Sequence, residues 1–176
     1  MLIAVVILAR KVPIAYPASS VQRGFCVGCI DLRFVRTTNR FCEKLFGLNA
    51  FDSYKTPGPA LSLGLSSSAS SLLDPTGTLQ PIESTFLDSF TLAAQISVSV
   101  NYPEILTIFE HEDCGYVRSF DPTKTPEELM ANQKSNLITV KEQLSNNNDL
   151  RLSGINLFRD IRCYYLYLDG RIELIV

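Results

Sequence analysis

The chain has 176 residues, of which 46% are apolar and 19% charged. That balance supports a buried core and excludes an intrinsically disordered chain. The net charge of −2, with no basic patch, sets nucleic acid aside as a partner, and the apolar stretch Met1 to Leu8 is far short of the roughly 20 residues of a membrane-spanning helix.

Residues 1–20 read as an N-terminal extended arm, because Pro13 and Pro17 hold the backbone extended. A cryptic leader cut near Ala18-Ser19-Ser20 is the alternative, although the positive n-region of a signal peptide is missing. Residues 21–176 read as one domain without an internal repeat. Its first element is a buried strand over Gly24 to Ile30, reaching Cys29 at its carboxyl end. From Phe34 the period changes. Phe34, Thr38, Phe41, Leu45 and Leu48 recur at helical spacing, with Gly47 as C-cap. Ala50 to Lys55 reads as a second strand, stopped by Thr56-Pro57-Gly58-Pro59.

Residues 62–82 are rich in Ser, Leu and Gly, carry the turn signal Asp74-Pro75-Thr76-Gly77, and read as a loop insertion. A helix over Glu83 to Val100 follows, with Phe86, Phe90, Ala93, Ala94 and Ser97 along one side. Asn101-Tyr102-Pro103 ends it, and a strand over Glu104 to Glu110 then delivers His111. Thr125-Pro126-Glu127-Glu128 is a capping box with Pro at the first helical position, opening a helix to about Leu144. Asp169-Gly170 between Ile161–Leu168 and Arg171–Val176 signals a two-residue hairpin.

This order predicts an α/β fold, an open, mainly parallel sheet with helices on both faces plus a C-terminal antiparallel hairpin strand. Sites in such sheets lie beyond the carboxyl ends of strands, where Cys29 and His111 both fall.

Five cysteines, at positions 26, 29, 42, 114 and 163, are an odd number without the spacing of a disulfide scaffold. They read as reduced thiols in a cytoplasmic, reducing compartment. Two of them join the single histidine in a pattern with chemical content: Cys29-x-Asp31-x-Arg33 and His111-x-x-Cys114-Gly115. A thiolate–imidazole–thiolate trio suits Zn2+, and three protein ligands leave one position open where a structural zinc usually takes four. Other readings stand beside this one. Cys26 forms Cys-x-x-Cys with Cys29, as a redox pair or a fourth ligand would, although Cys26, Cys42 and Cys163 read better as core. Asp31 and Arg33 could be a plain surface ion pair. Glu112 and Asp113 read as solvated turn residues, and Tyr116 either lines the site or packs.

The two motifs resemble those of the β-class carbonic anhydrases. The resemblance extends from about Gly24 to Ile175 and includes the Tyr165 to Gly170 hairpin. It implies Zn2+ held by Cys29, His111 and Cys114, and the reversible hydration of carbon dioxide to bicarbonate by a zinc-bound hydroxide, the carbonate dehydratase reaction. It also implies Asp31 and Arg33 as the catalytic pair. Arg33 would orient Asp31 toward the hydroxide proton, and Asp31 would become a fourth ligand if the pair broke. Homodimers or higher homo-oligomers are expected on the same ground. The chain departs from the family pattern at Leu32, where many members have Ser, and at Lys55-Thr56-Pro57-Gly58, where an Arg-Asn-Ala-Gly type segment is common. Two alternatives to the hydration activity stand: a carbonic-anhydrase-like zinc module without turnover, and a hydrolase of another small heterocumulene such as carbon disulfide.

Overall fold

The computed structural model describes residues 22–64, 82–147, 150–152 and 155–176. The arm at 1–20, the turn Asp74 to Gly77 and most of the expected insertion lie outside the described residues.

Strands β1 (Gly24–Gly28), β2 (Phe51–Lys55), β3 (Ile105–His111), β6 (Asp160–Leu166) and β7 (Ile172–Leu174) form one sheet in the order β2-β1-β3-β6-β7. All neighbours are parallel except β6 and β7, the expected antiparallel hairpin. β3 lies at the centre with every residue buried, which is why its sequence is a near-continuous apolar run instead of an alternating one. A small antiparallel pair, β4 (Arg151–Leu152) with β5 (Ile155–Asn156), stands apart from the sheet and was not expected.

Helices cover both faces. Helix α1 (Leu32–Phe46) packs Phe34, Cys42 and Phe46 on Cys26, Ile105, Phe109, Tyr164 and Leu166. On the other face α2 (Pro59–Gly64), α3 (Ile82–Asn101) and α5 (Pro126–Asn146) enclose a larger core that contains Phe25, Val27, Leu106, Ile108, Cys163 and Tyr165. The alternation of neighbours along β1, β3 and β6 sorts the side chains between these two cores.

Several boundaries move for identifiable reasons. α1 begins at Leu32 because the Asp31 side chain accepts the Arg33 N–H and caps it. Leu48 is 75% exposed instead of joining the apolar face, since Gly47, at φ +100°, has already turned the chain out of the helix. The buried face of α1 runs through Phe34, Thr38, Cys42 and Phe46, with Phe41 and Leu45 partly buried beside it. Residues 59–64 are helical where Thr56 to Pro59 and then a loop were expected; Pro59 opens the helix, where its missing N–H costs nothing. A second short helix, α4 (Gly115–Phe120), follows Cys114. The capping box at Thr125 forms with both reciprocal bonds. The C-terminal hairpin turns through three residues, not two. Tyr167 N–H bonds the Arg171 carbonyl, and Gly170, at φ +87°, occupies the left-handed position.

Candidate metal centre

β1 and β3 are adjacent and parallel, so their carboxyl ends meet at one edge of the sheet. Cys29 is the first residue beyond β1, and His111 is the last residue of β3. Glu112 and Asp113 then turn the chain, Asp113 with φ +55°, and Cys114 becomes the N-cap residue of α4. The two Cys sulfurs and a His111 ring nitrogen lie within 4.8 Å of one another, and all three residues are buried. Donors that close can share an ion at zinc–ligand distances of about 2.0–2.3 Å.

The histidine is already oriented for ligation. Its Nδ1 lies 2.8 Å from the Glu112 carbonyl, an arrangement that assigns Nδ1 the proton. Nε2 is buried and has no hydrogen-bond partner. An unpaired buried nitrogen is costly unless something fills its lone pair. The Phe34 ring stacks on the imidazole with 4.2 Å between centroids and fixes its plane. Two thiols and a free imidazole nitrogen are the donor set that zinc favours, so the residues fit that ion.

The sulfurs are poised as well. Cys114 shares its proton with Cys29, and this, with His111 and the N–H groups of Asp31 and Gly58, outweighs burial and pulls the Cys29 thiol well below its ordinary range. The same sharing pushes the Cys114 thiol up, with burial acting in the same direction. Burial works against a charged His111 ring, but the neighbouring Cys29 sulfur and the Glu112 carbonyl prevail and raise its pKa.

Asp31 and Arg33 come together beside this cluster. Arg33 Nε lies 3.1 Å from both Asp31 carboxylate oxygens, and Nη2 is 2.7 Å from Oδ2. The guanidinium, then the Arg33 N–H, hold the Asp31 carboxyl below the usual range. Leu32 between them points outward, 85% exposed. Of the segment that departs from the family pattern, Gly58 directs its N–H to Cys29, and its φ is +45°. Tyr116 packs against this segment rather than standing in solvent.

Glu112 and Asp113 are not merely solvated. Glu112 Oε2 accepts the Leu168 N–H at 2.8 Å, and Asp113 accepts from Arg33 and Arg118. Cys26, Cys42 and Cys163 are all buried, as core residues are. Among the described residues, Cys26 does not belong to the donor cluster.

Two polar residues behind the site had no sequence signal beyond their incongruity. Glu110 precedes His111 on β3, points to the opposite face, and is 1% exposed. Its carboxylate accepts the Ala60 N–H at 2.7 Å, and burial pushes its pKa up to about 7. Gln133 of α5 donates to the His111 carbonyl at 2.9 Å and accepts from the Tyr165 hydroxyl at 3.0 Å. For Glu110, a charged residue directly after the run Ile105-Leu106-Thr107-Ile108-Phe109 was the available clue. A hollow of about 230 Å³ opens nearby, lined by Cys114, Val117, Leu129, Gln133 and Leu168 among others.

No family model and no curated protein matches this sequence. Solved structures do. A tetrameric β-carbonic anhydrase of Sordaria macrospora superposes with a TM-score of 0.52 over 89% of this chain and 81% of its own, at 13% identity. A β-carbonic anhydrase of Aspergillus fumigatus gives 0.50 over 93% and 94%, at 12% identity. At such identity the likeness establishes the fold, an α/β fold of β-carbonic anhydrase type.

Proposed function

We propose that this chain binds zinc through Cys29, His111 and Cys114 and catalyses the reversible hydration of carbon dioxide to bicarbonate. The observation that carries the reading is the buried, partnerless His111 Nε2 beside two thiols, with the Asp31–Arg33 pair next to them. Zinc bound there supplies the Lewis acidity that turns water into a nucleophile near neutral pH. The chain's own residues do the rest. Glu112, through its carbonyl, and Phe34 hold the imidazole in one tautomer and one plane. Arg33 keeps Asp31 ionised, so that its carboxylate would accept a hydrogen bond from a water beside the three ligands.

The test is metal analysis followed by stopped-flow hydration of carbon dioxide. We expect about one zinc per chain and turnover that rises from neutral to alkaline pH. Arg33→Ala should abolish turnover while zinc stays bound, because the freed Asp31 carboxylate can take the open position. Zinc-replete wild-type protein inactive at every pH would remove the assignment, and carbon disulfide would be the next substrate to assay.

One observation favours the second reading, a zinc module without turnover. Asp31 caps α1, a structural task that would retain it in an inactive protein. Wild-type turnover discriminates between the two. Asn also caps helices, so the module reading predicts an inactive wild type and an Asp31→Asn variant with unchanged fold and zinc content, whereas the catalytic reading predicts wild-type turnover that Asp31→Asn loses.

Assembly belongs to the same proposal. Leu92, Ile96 and Val100 of α3 are each more than half exposed, and β2 has a strand neighbour on one side alone. Both features fit a homodimer or larger homo-oligomer, which light scattering at micromolar concentration would detect. Five unpaired buried cysteines fit a reducing, cytoplasmic compartment. Among the described residues no helix is long and apolar enough to cross a membrane.

A further inference from the structure

The Asp31–Arg33 pair has a second anchor. Arg33 Nη1 lies 3.2 Å from Asp113 Oδ2, and Nη2 donates to the Asp113 carbonyl at 3.0 Å. The other carboxylate oxygen of Asp113 accepts from Arg118 Nη2 at 2.7 Å. The result is a continuous line, Arg118–Asp113–Arg33–Asp31, joining residues 80 apart in sequence. It ties the turn that carries His111 and Cys114 to the cap of α1. Asp113 adopts φ +55°, a left-handed conformation that Asp and Asn tolerate better than most residues. In that conformation its carbonyl and its carboxylate both reach Arg33.

We propose that Asp113 is a positioning residue that holds the Arg33 guanidinium in the orientation that pairs it with Asp31. The need for it follows from exposure. Arg33 and Asp31 are two residues apart, and the Arg33 side chain is 49% exposed. An isolated pair that open to water stabilises little and exchanges among rotamers. A charge held by two carboxylates and a backbone carbonyl is the case in which such pairs keep one geometry. Asp113 occupies the Nη1/Nη2 edge and so leaves the Nε/Nη2 edge to Asp31, and Arg118 keeps Asp113 from following Arg33 when it moves. The inference adds a residue to the proposed site, and its catalytic consequence rests on the hydration reading.

The test uses zinc-loaded full-length protein and two independent readouts. The first is hydrogen exchange of the Arg33 Nε–H by NMR, which needs no substrate. The second is carbon dioxide hydration at matched zinc content. Asp113→Gly keeps the left-handed backbone and removes only the side chain, so the fold should survive. It should speed Nε–H exchange by about tenfold or more and slow hydration by a similar factor. Asp113→Asn keeps an acceptor and the backbone geometry, and should stay within about threefold of wild type in both. Arg118→Gln acts from the far side of Asp113 and should shift exchange in the same direction by less than Asp113→Gly. Unchanged Nε–H exchange in both Asp113→Gly and Arg118→Gln overturns the proposal whatever the activity. An inactive wild type whose exchange still responds to Asp113→Gly overturns the hydration reading and leaves the positioning role intact.

Discussion

Glu110 and His111 are neighbours on one strand and face opposite sides of the sheet. The two sides treat polar groups differently. On the side of α2 and α5 the Glu110 carboxylate is fully engaged. It meets the N–H of Ala60 at the start of α2, and Gln133 closes the layer by bonding the His111 carbonyl and Tyr165. On the side of α1 some polar atoms are left open. His111 Nε2 and Thr107 Oγ1 are buried without partners, as is Lys55 Nζ, which lies beside Gly28. Burial without pairing costs about 1–3 kcal/mol per group, and His111 Nε2 bears it inside the Cys29–His111–Cys114 cluster. One face of the strand is therefore a support, and the other carries the candidate metal cluster.

Five substitutions, at three places in the fold, break or sharpen that contrast. The largest effect is expected at the ligands. His111→Ala, Cys29→Ser or Cys114→Ser should each lower zinc affinity by more than the roughly 10–100-fold typical of outer-shell changes, and abolish turnover. Full zinc retention in all three would mean that the open atoms of this face serve some other purpose. Glu110→Gln probes the supporting face and should act on stability. The native carboxyl titrates near 7 instead of its usual 4.5 because it is buried. A raised acid pKa means that the native state binds more protons than the unfolded chain between those values. Stability therefore falls as pH rises from about 4.5 to 7, by on the order of 1–3 kcal/mol. Glu110→Gln should flatten this slope and raise the melting temperature at pH 8 relative to wild type. Thermal melts at pH 5 and 8 decide it, and a wild-type slope unchanged in the variant would mean that Glu110 is ionised in its bed. The smallest effect is expected at Cys26. This thiol is buried against Cys42 in the smaller core, outside the donor cluster. Cys26→Ser should leave zinc content unchanged and lower stability modestly. Zinc loss there would enlarge the site into the smaller core.

What could be read in the sequence divides along the same line. The strand ends, the capped α5 and the two motifs that meet in the Cys29–His111–Cys114 cluster were legible because each depends on short-range pattern: an apolar run, a four-residue capping box, a Cys or His at the end of a strand. α2 and α4 were not, since each has six residues, too few for a helical period to register. The roles of Glu110, Gln133 and Asp113 could not be read because each is defined by a partner on a distant element. Nothing around Asp113 indicates a guanidinium arriving from 80 residues away. Leu48 shows the opposite failure: it matched the helical period, but the chain had already left the helix at Gly47. Pattern recognises what a segment could be, while its neighbours decide where it stops.

Gly58 has a consequence for how this sequence can drift. Its φ is +45°, and a Cβ there would lie 2.8 Å from the Tyr116 ring and 3.2 Å from Val117. Any side chain would lift the segment off α4 and withdraw the N–H that reaches the Cys29 sulfur. Leu32 stands at the other extreme, beside the same cluster in sequence yet 85% exposed at the head of α1. Across sequence variants that keep the Cys29–His111–Cys114 cluster, position 58 should be frozen as glycine while position 32 accepts polar and apolar residues alike.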